Sequence, residues 1–193
     1  ALLAEEPPRT AQPLTAGGVL FDLGPHPVAI GLELAGEPPV GVAAALTSTR
    51  DDGADDHAEV RLRFMSGLVA TLTVSWRGDA TVWDAQAASA TGVLRLELLP
   101  ELLLEADGEP VQVRSRHSVP DPRIEQLGYV DQLLDMAAAT TGGSPEHAQT
   151  VGMARQVLEV ICAAYASAGA DGTEVALPFT GDRAATPMRL WRG

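Results

Sequence analysis

An aspartate and a histidine stand four residues apart in the stretch GGVLFDLGPH, residues 17–26. In a helical backbone, positions i and i+4 lie on one face, so Asp22 and His26 could both reach one ligand. A histidine beside a carboxylate suits general acid–base catalysis, in which the carboxylate fixes the imidazole tautomer or binds the substrate. A structural explanation is also open, with Asp22 as a helix N-cap and His26 held by a backbone carbonyl.

Three glycines surround this pair. Gly17, Gly18 and Gly24 remove side chains near it, which permits close approach of a ligand or of another backbone segment, although glycines also simply form turns. The prolines at positions 25 and 27 are tolerated in a first helical turn. The regular helix is therefore predicted from near Pro25 to Gly36.

Period-two alternation after this helix predicts a series of strands. Val60, Leu62 and Phe64 alternate with charged residues, as in a half-exposed strand, and Ser66-Gly67, Thr91-Gly92 and Asp107-Gly108 supply tight turns. Residues 51–56 read as a polar, acidic loop, 115–123 as another loop, and 124–142 and 144–169 as two helices. The predicted fold class is α+β: a mostly antiparallel open sheet of about six strands covered on one face by helices.

The domain organisation follows from length and local composition. A chain of 193 residues suits one domain with a full core. Residues 1–16 are rich in Pro, Ala and Thr without a period, and we expect them to be a lead-in or linker from an N-terminal domain that is missing here. Residues 17–178 are the expected domain, and residues 179–193 a C-terminal tail.

Charge and composition narrow the partners and the location. The net charge of −13 argues against a nucleic-acid backbone or an anionic membrane as partner. No apolar run of about 18 residues and no signal-like N-terminus are present, so neither a membrane span nor secretion is predicted. The single cysteine, Cys162, reads as a buried small hydrophobe and fits a reducing compartment, which gives a cytoplasmic location as the expectation.

The order and spacing of these motifs resemble the C-terminal domain of the glucose–fructose oxidoreductase, inositol dehydrogenase and rhizopine-catabolism (Gfo/Idh/MocA) family. The resemblance covers nearly the whole chain, from about Gly17 to about Pro178. It is carried by the GGxLxDxGxH run with its apolar helix and Gly-Glu-Pro-Pro stop, the RLRFMSGLVATLTVSW hairpin, the TGVL turn, and the AYASA helix end before a Val-Ala-Leu-Pro strand.

The resemblance implies a division of labour. Family members pair an N-terminal Rossmann domain, which binds NAD or NADP, with a C-terminal domain whose open sheet often forms the oligomer interface. Hydride passes between the nicotinamide and a sugar, polyol or related carbon, assisted by a lysine of the first domain and by a D-x-x-x-H motif of the second. Asp22 and His26 stand at those two positions. His26 would be the acid/base toward the substrate hydroxyl, and Asp22 would orient the substrate or the lysine.

Two departures leave alternatives open. The chain has no lysine, and no GxGxxG motif follows a strand, so NAD or NADP and the catalytic lysine are expected on a domain not present in this chain. The chain is therefore interpreted as half of an oxidoreductase, expected to form a homo-oligomer through its open sheet. A non-catalytic binding or dimerisation module of the same fold is the alternative, and an unrelated α+β ligand-binding domain is a third.

Further substrate-binding candidates are Gly18, Arg77, Trp83 and Tyr129. The segments around Arg77 and Trp83 lie at strand ends and could flank a substrate cleft, although aromatic packing also explains the tryptophan. Tyr129 could point at the pocket, but its apolar stripe suggests a core position. No metal site is predicted, because His57, His117 and His147 lack partners at ligand spacing and residues 55–57 read as a solvated loop.

Overall fold

The structure, a computed structural model, describes residues 17–112, 128–142 and 150–193. The helices in these ranges are α1 (Val19–Asp22), α2 (Pro25–Ala35), α3 (Tyr129–Thr140), α4 (Val151–Gly169) and α5 (Pro187–Arg192). The strands are β1 (Pro39–Thr47), β2 (His57–Phe64), β3 (Val69–Ser75), β4 (Trp83–Ser89), β5 (Gly92–Leu99), β6 (Leu103–Ala106), β7 (Glu109–Pro110) and β8 (Val175–Ala176).

The strands form two antiparallel sheets, in the orders β3-β2-β1-β8 and β4-β5-β6-β7. The predicted α+β class with antiparallel strands is confirmed, but the strands are divided between two four-stranded sheets instead of one. Alternation along the sequence indicates where strands are, whereas the choice of pairing partner depends on contacts distant in sequence. The described residues of 17–77 and 151–193 form one compact unit, and those of 78–150 form a second.

Strand β2 shows how the sequence builds the two faces of the first sheet. Ala58, Val60, Leu62 and Phe64 are buried, while the residues between them are exposed. Helices α2 and α4 belong to the same hydrophobic core as this buried face, so the sheet is covered on that side. The buried core residues are Val19, Leu20, Val28, Leu32, Val42, Ala44, Leu46, Ala58, Val60, Leu62, Phe64, Val74, Val157, Val160, Ile161, Ala163, Ala164, Tyr165 and Phe179.

The predicted turns have the backbone conformations that their residues favour. Gly67 has φ +91° in the loop between β2 and β3, where the Phe64 N–H donates to the Leu68 carbonyl at 3.0 Å. Asp107 and Gly108, between β6 and β7, have φ values of 54° and 83°. Positive φ at both central residues is the requirement of a type I′ hairpin turn, which an Asp-Gly pair satisfies readily.

Helix α2 begins and ends where the sequence predicts. Pro25 is its first residue, and Gly36 caps its C-terminus with φ +65° and an N–H that donates to the Leu32 carbonyl at 3.0 Å. A glycine in the left-handed region is a standard helix stop, because it carries no Cβ to clash there. The helix therefore presents a fixed first turn, in which His26 lies.

Helix α4 is tied to the sheet through a buried hydroxyl. Ser167 is fully buried; its Oγ donates to the Thr173 carbonyl at 2.8 Å and accepts from the Ala44 N–H at 2.9 Å. The same helix carries Cys162, which is partly buried against the core. Burial raises the pKa of the Cys162 thiol, as expected for a small hydrophobe rather than a reactive nucleophile.

Helix α3 and the expected C-terminal tail differ in their burial. No residue of α3 is buried, and Leu133 and Met136 are each 66% exposed. Within the expected tail, Phe179 is buried in the core and α5 packs against α4. The expected domain boundaries remain predictions, and those for the loop 115–123, for the start of the helix at 124–127 and for the cap at 144–146 lie outside the described residues.

Among the helices of the described residues, none combines the length and the apolar character that spanning a bilayer requires.

The core predicts one clear difference between buried and exposed leucines. Leu62 has no exposed surface, so Leu62→Ala should lower the free energy of unfolding by about 2–5 kcal/mol through lost burial and a residual cavity. Leu34→Ala, at a site 53% exposed on α2, should change it by less than about 1 kcal/mol. Urea denaturation of the natural protein measures both, and equal losses would contradict the assignment of the core.

Candidate active site

The segment that carries Asp22 and His26 is helical throughout. Between α1 and α2, Leu23 (φ −97°, ψ −27°) and Gly24 (φ −57°, ψ −33°) keep right-handed helical conformations. The Gly24 N–H donates to the Leu20 carbonyl at 3.0 Å, and the His26 N–H donates to the Leu23 carbonyl at 3.3 Å. Asp22 and His26 are thus separated by about one helical turn. A helical backbone of this kind is what both side chains need in order to reach one ligand.

Both side chains of the pair are exposed. The N-cap of α2 is Gly24, which has no side chain, and Asp22 is the last residue of α1. The N-cap role considered for Asp22 is therefore not its role in the structure. An exposed carboxylate and imidazole one turn apart can bind a polyhydroxylated ligand and exchange a proton with it.

The start of this segment is held by a buried aspartate. Asp55 has no exposed surface, and its Oδ1 accepts from the Gly18 N–H at 2.8 Å and its Oδ2 from the Leu20 N–H at 2.8 Å. Its backbone carbonyl accepts from the Val19 N–H at 2.8 Å. Three successive N–H groups at the start of α1, which lack intrahelical partners, are satisfied by one residue.

Gly17 and Gly18 make the close approach of Tyr165 and Asp55 possible. A Cβ on Gly18 would lie 2.6 Å from the backbone nitrogen of Asp55 and closer still to its carbonyl oxygen. A Cβ on Gly17 would lie 2.7 Å from the Tyr165 hydroxyl. Of the explanations that the sequence left open, the structure shows close approach by another backbone segment. Gly18 itself is buried, and its substrate-binding role remains a prediction.

Tyr165 of α4 completes the arrangement. Its buried hydroxyl donates to Asp55 Oδ1 at 2.7 Å and accepts from the Gly18 N–H at 3.1 Å. Burial, followed by the negative charge of Asp55, raises the pKa of Tyr165 far above its usual range. The hydroxyl therefore stays protonated and remains a donor to Asp55 at physiological pH.

A second buried carboxylate, that of Asp56, forms hydrogen bonds with the predicted site residue Arg77. The guanidinium donates to Asp56 Oδ1 and, at 2.8 Å, to the Thr47 hydroxyl. Asp56 also accepts from the Thr49 hydroxyl and, at 3.0 Å, from the Thr49 N–H. Burial by itself raises the pKa of Asp56, but the bonds from Arg77 and Thr49 and the Arg77 charge outweigh it and hold the pKa well below its usual range.

These contacts correct the expectation of a solvated loop at residues 55–57. Asp55 and Asp56 are 0% and 4% exposed, because each carboxylate has enough donors to replace water. Arg77 is held at the end of the first sheet by these bonds, and whether it also contacts a substrate remains a prediction.

The remaining predicted site residues lie in the second unit. Trp83 is half-buried at the first residue of β4, and Tyr129 is 54% exposed at the first residue of α3. The core position suggested for Tyr129 is wrong, because the apolar stripe of α3 is exposed. The other four candidates belong to the first unit.

A metal ion would need a cluster of ligating side chains within the described residues. No group of three or more His, Cys, Asp or Glu side chains in those ranges could hold a metal ion. His117 and His147 lie outside them.

Sequence reasoning missed Asp55 and Tyr165. The tyrosine was one member of the apolar stripe of α4, and the aspartate one of several acids in a loop. A signal was present, since a tyrosine in a buried stripe needs a hydrogen-bond partner for its hydroxyl. The partner's identity could not be found locally, because 110 residues separate the two.

Comparison with known proteins agrees with this fold. Residues 3–91 match the sequence model described as the GFO/IDH/MocA C-terminal domain. GenD2 from gentamicin A biosynthesis, solved in complex with NAD, is 26% identical with a TM-score of 0.68, over 83% of this chain and 48% of that one. No curated protein matches the sequence.

Two further solved structures show the same fold. The aldose–aldose oxidoreductase from Caulobacter crescentus, complexed with glycerol, is 23% identical with a TM-score of 0.61, over 83% of this chain and 48% of that one. The WlbA dehydrogenase from Bordetella pertussis, complexed with NADH and UDP-GlcNAcA, is 19% identical with a TM-score of 0.57, over 84% and 49%. The chain thus spans about half the length of the structures it matches.

The sequence match and the fold agree on one class, the second domain of a family of oxidoreductases. Residues 3–91 match the model of the Gfo/Idh/MocA C-terminal domain and the fold agrees with it, which confirms the family resemblance indicated by the GGxLxDxGxH run.

The contact between Gly18 and Asp55 predicts opposite effects for two glycine substitutions. Gly18→Ala should lower the free energy of unfolding by at least about 2 kcal/mol, because the added Cβ collides with backbone that cannot rotate away. Gly31→Ala, inside α2, places its Cβ 3.7 Å from Leu72 and should be neutral or stabilising by up to about 1 kcal/mol. Chemical denaturation distinguishes them, and a tolerated Gly18→Ala would contradict the described packing.

The depressed pKa of Asp56 predicts a pH-dependent contribution to stability. At pH 7, Asp56→Asn should cost about 1.5–3 kcal/mol, the scale of hydrogen bonds to a charged group. Because the folded pKa lies below the usual 3.8, the contribution is complete above that value and is lost as the pH falls through the folded pKa. The stability gap between wild type and variant should therefore be constant above about pH 5 and narrow toward about pH 2.

Denaturant midpoints measured across this pH range provide the test. Asp51→Asn, which removes an exposed carboxylate of the same loop, is the matched control for the loss of one negative charge. A gap for Asp56→Asn that is independent of pH would exclude an ionised, stabilising Asp56.

Proposed function

We propose that the chain is the C-terminal substrate-binding and oligomerisation domain of a cytoplasmic NAD(P)-dependent oxidoreductase acting on a sugar, polyol or related hydroxy compound. The observation that carries the proposal is the exposed Asp22–His26 pair on one helical segment whose start is fixed by buried contacts. Support comes from relatives solved with NAD, with NADH and UDP-GlcNAcA, and with glycerol.

The proposed chemistry of this chain is proton transfer and substrate orientation. When bound, the nicotinamide would take the hydride from the substrate carbon during oxidation. His26 would accept the hydroxyl proton as the C–O bond gains double-bond character, and would return it in the reverse direction. Asp22 would hold a neighbouring hydroxyl or the catalytic lysine by a charge-assisted hydrogen bond.

The cofactor and the lysine would come from a Rossmann domain. The chain contains no lysine and no GxGxxG after a strand, so its own residues do not fit the recognition of a dinucleotide. We propose that this domain lies upstream on the same polypeptide. NAD or NADP would then meet the substrate next to Asp22 and His26.

The proposed oligomer interface is the outer face of the first sheet. Side chains on this face of β2 and β3 are exposed; they include Glu59, Arg61, Arg63, Thr71 and Thr73. Antiparallel sheets with an exposed face pack readily against a second sheet, and most soluble oligomers are symmetric homo-oligomers. We propose that two copies of the protein meet through this face.

A second candidate function is a non-catalytic binding or dimerisation module of the same fold. The absence of lysine from the chain favours it if no nucleotide domain is attached. The intact mass of the natural gene product separates the two: a product longer by roughly 100–150 residues, a typical domain, supports the enzyme.

If the protein is an oxidoreductase, removal of the His26 imidazole should have a large effect on turnover. With NAD⁺ or NADP⁺ and a panel of D-glucose, myo-inositol and levoglucosan, His26→Ala in the natural protein should lower kcat by roughly 10²–10⁴-fold, the usual contribution of a general acid–base group. Asp22→Asn should lower kcat/KM in the same assay. Formation of reduced nicotinamide is the measurement.

Glu33→Gln changes an exposed carboxylate further along α2 and should leave turnover unchanged. Undiminished turnover by His26→Ala would remove the acid–base role. Failure of the natural protein to turn over any member of the panel with either cofactor would favour the non-catalytic module.

A further inference from the structure

The geometry of the Asp22–His26 pair depends on a helix too short to be stable alone. Helix α1 has four residues, and a single helical turn fixes several dihedral angles for one hydrogen bond. Its conformation must therefore come from tertiary contacts. The contacts at its start are those of Asp55 with the N–H groups of Gly18, Val19 and Leu20.

A displacement at the start of α1 would be transmitted to the pair. The carbonyl oxygens of Val19 and Leu20 accept from the N–H groups of Leu23 and Gly24 at 2.8 and 3.0 Å. Gly24 is packed so closely that a Cβ there would lie 2.7 Å from the Leu20 Cδ1. A shift of the residues bound by Asp55 would therefore also move the first turn of α2.

Tyr165 in turn fixes Asp55. Its hydroxyl binds the same Oδ1 that receives the Gly18 N–H, and it also accepts from that N–H. The Tyr165 hydroxyl, the Asp55 carboxylate and the Gly18 N–H thus form a closed set of hydrogen bonds. This set links α4, the residue two positions before β2, and the start of α1. All three are removed from water, so each bond has little competition from solvent.

We infer that Asp55 and Tyr165 are positioning residues that set the orientation of Asp22 and His26 for proton transfer. This inference rests on the proposed function. Misplacement of a catalytic group by about 1 Å can cost on the order of 10²-fold in rate, so a loosened α1 should reduce catalysis without removing any group that touches the substrate.

The test removes one hydroxyl and compares it with another on the same helix. Tyr165→Phe deletes the bond to Asp55, whereas Ser167→Ala deletes a fully buried hydroxyl that bonds Ala44 and Thr173 instead. In the natural protein, with the most active substrate of the panel above, Tyr165→Phe should lower kcat roughly 10–100-fold with a smaller change in KM. Ser167→Ala should leave kcat unchanged despite a comparable loss of denaturation midpoint.

Two further measurements separate positioning from general destabilisation. Because Tyr165 acts in part through His26, the double variant Tyr165→Phe/His26→Ala should lose less activity than the two single losses combined. Amide exchange of residues 17–24 should be faster in Tyr165→Phe than in Ser167→Ala. Asp55→Asn, which sets an amide N–H against a backbone N–H, should reproduce the kcat effect if it folds.

The outcomes separate the inference from the proposed function. A normal kcat in Tyr165→Phe, or equal kcat losses in Tyr165→Phe and Ser167→Ala, would overturn the inference while leaving the role of His26 intact. Additive losses in the double variant would overturn it in the same way. Undiminished turnover by His26→Ala would overturn the proposed function and the inference together.

Discussion

The buried carboxylate of Asp55 is the interaction on which the candidate site depends. An uncompensated buried carboxylate is strongly unfavourable, so Asp55 must find donors, and it finds them in two backbone N–H groups of the start of α1 and in the Tyr165 hydroxyl. The same bonds satisfy helix-start groups that would otherwise be unpaired. The burial of one charge therefore explains the conformation of α1 and the glycine at position 18.

A second carboxylate has a similar environment but another consequence. Asp56, the next residue, binds Arg77 and Thr49 instead. Asp55 thus organises the segment with the catalytic candidates, and Asp56 organises the end of the first sheet.

In the proposed function, this chain would bind the substrate and transfer the proton. A domain outside it would hold the cofactor that takes the hydride. Such a division suits the residues present, since Asp22 and His26 are exposed on a segment whose start is held by buried contacts while the chain contains no lysine. Functional groups held by a well-packed support keep their geometry better than groups on loose loops. The solved structures that the chain matches are about twice its length.

Local chemistry was enough to predict much of this protein. Alternation located β2, Gly36 ended α2, Asp107-Gly108 formed a turn, and the Asp22–His26 spacing indicated the family, because each depends on residues near in sequence. Tertiary structure decided the rest. The division into two sheets, the exposure of Tyr129 and the burial of Asp55 by Tyr165 depend on partners far along the chain, which no local pattern specifies.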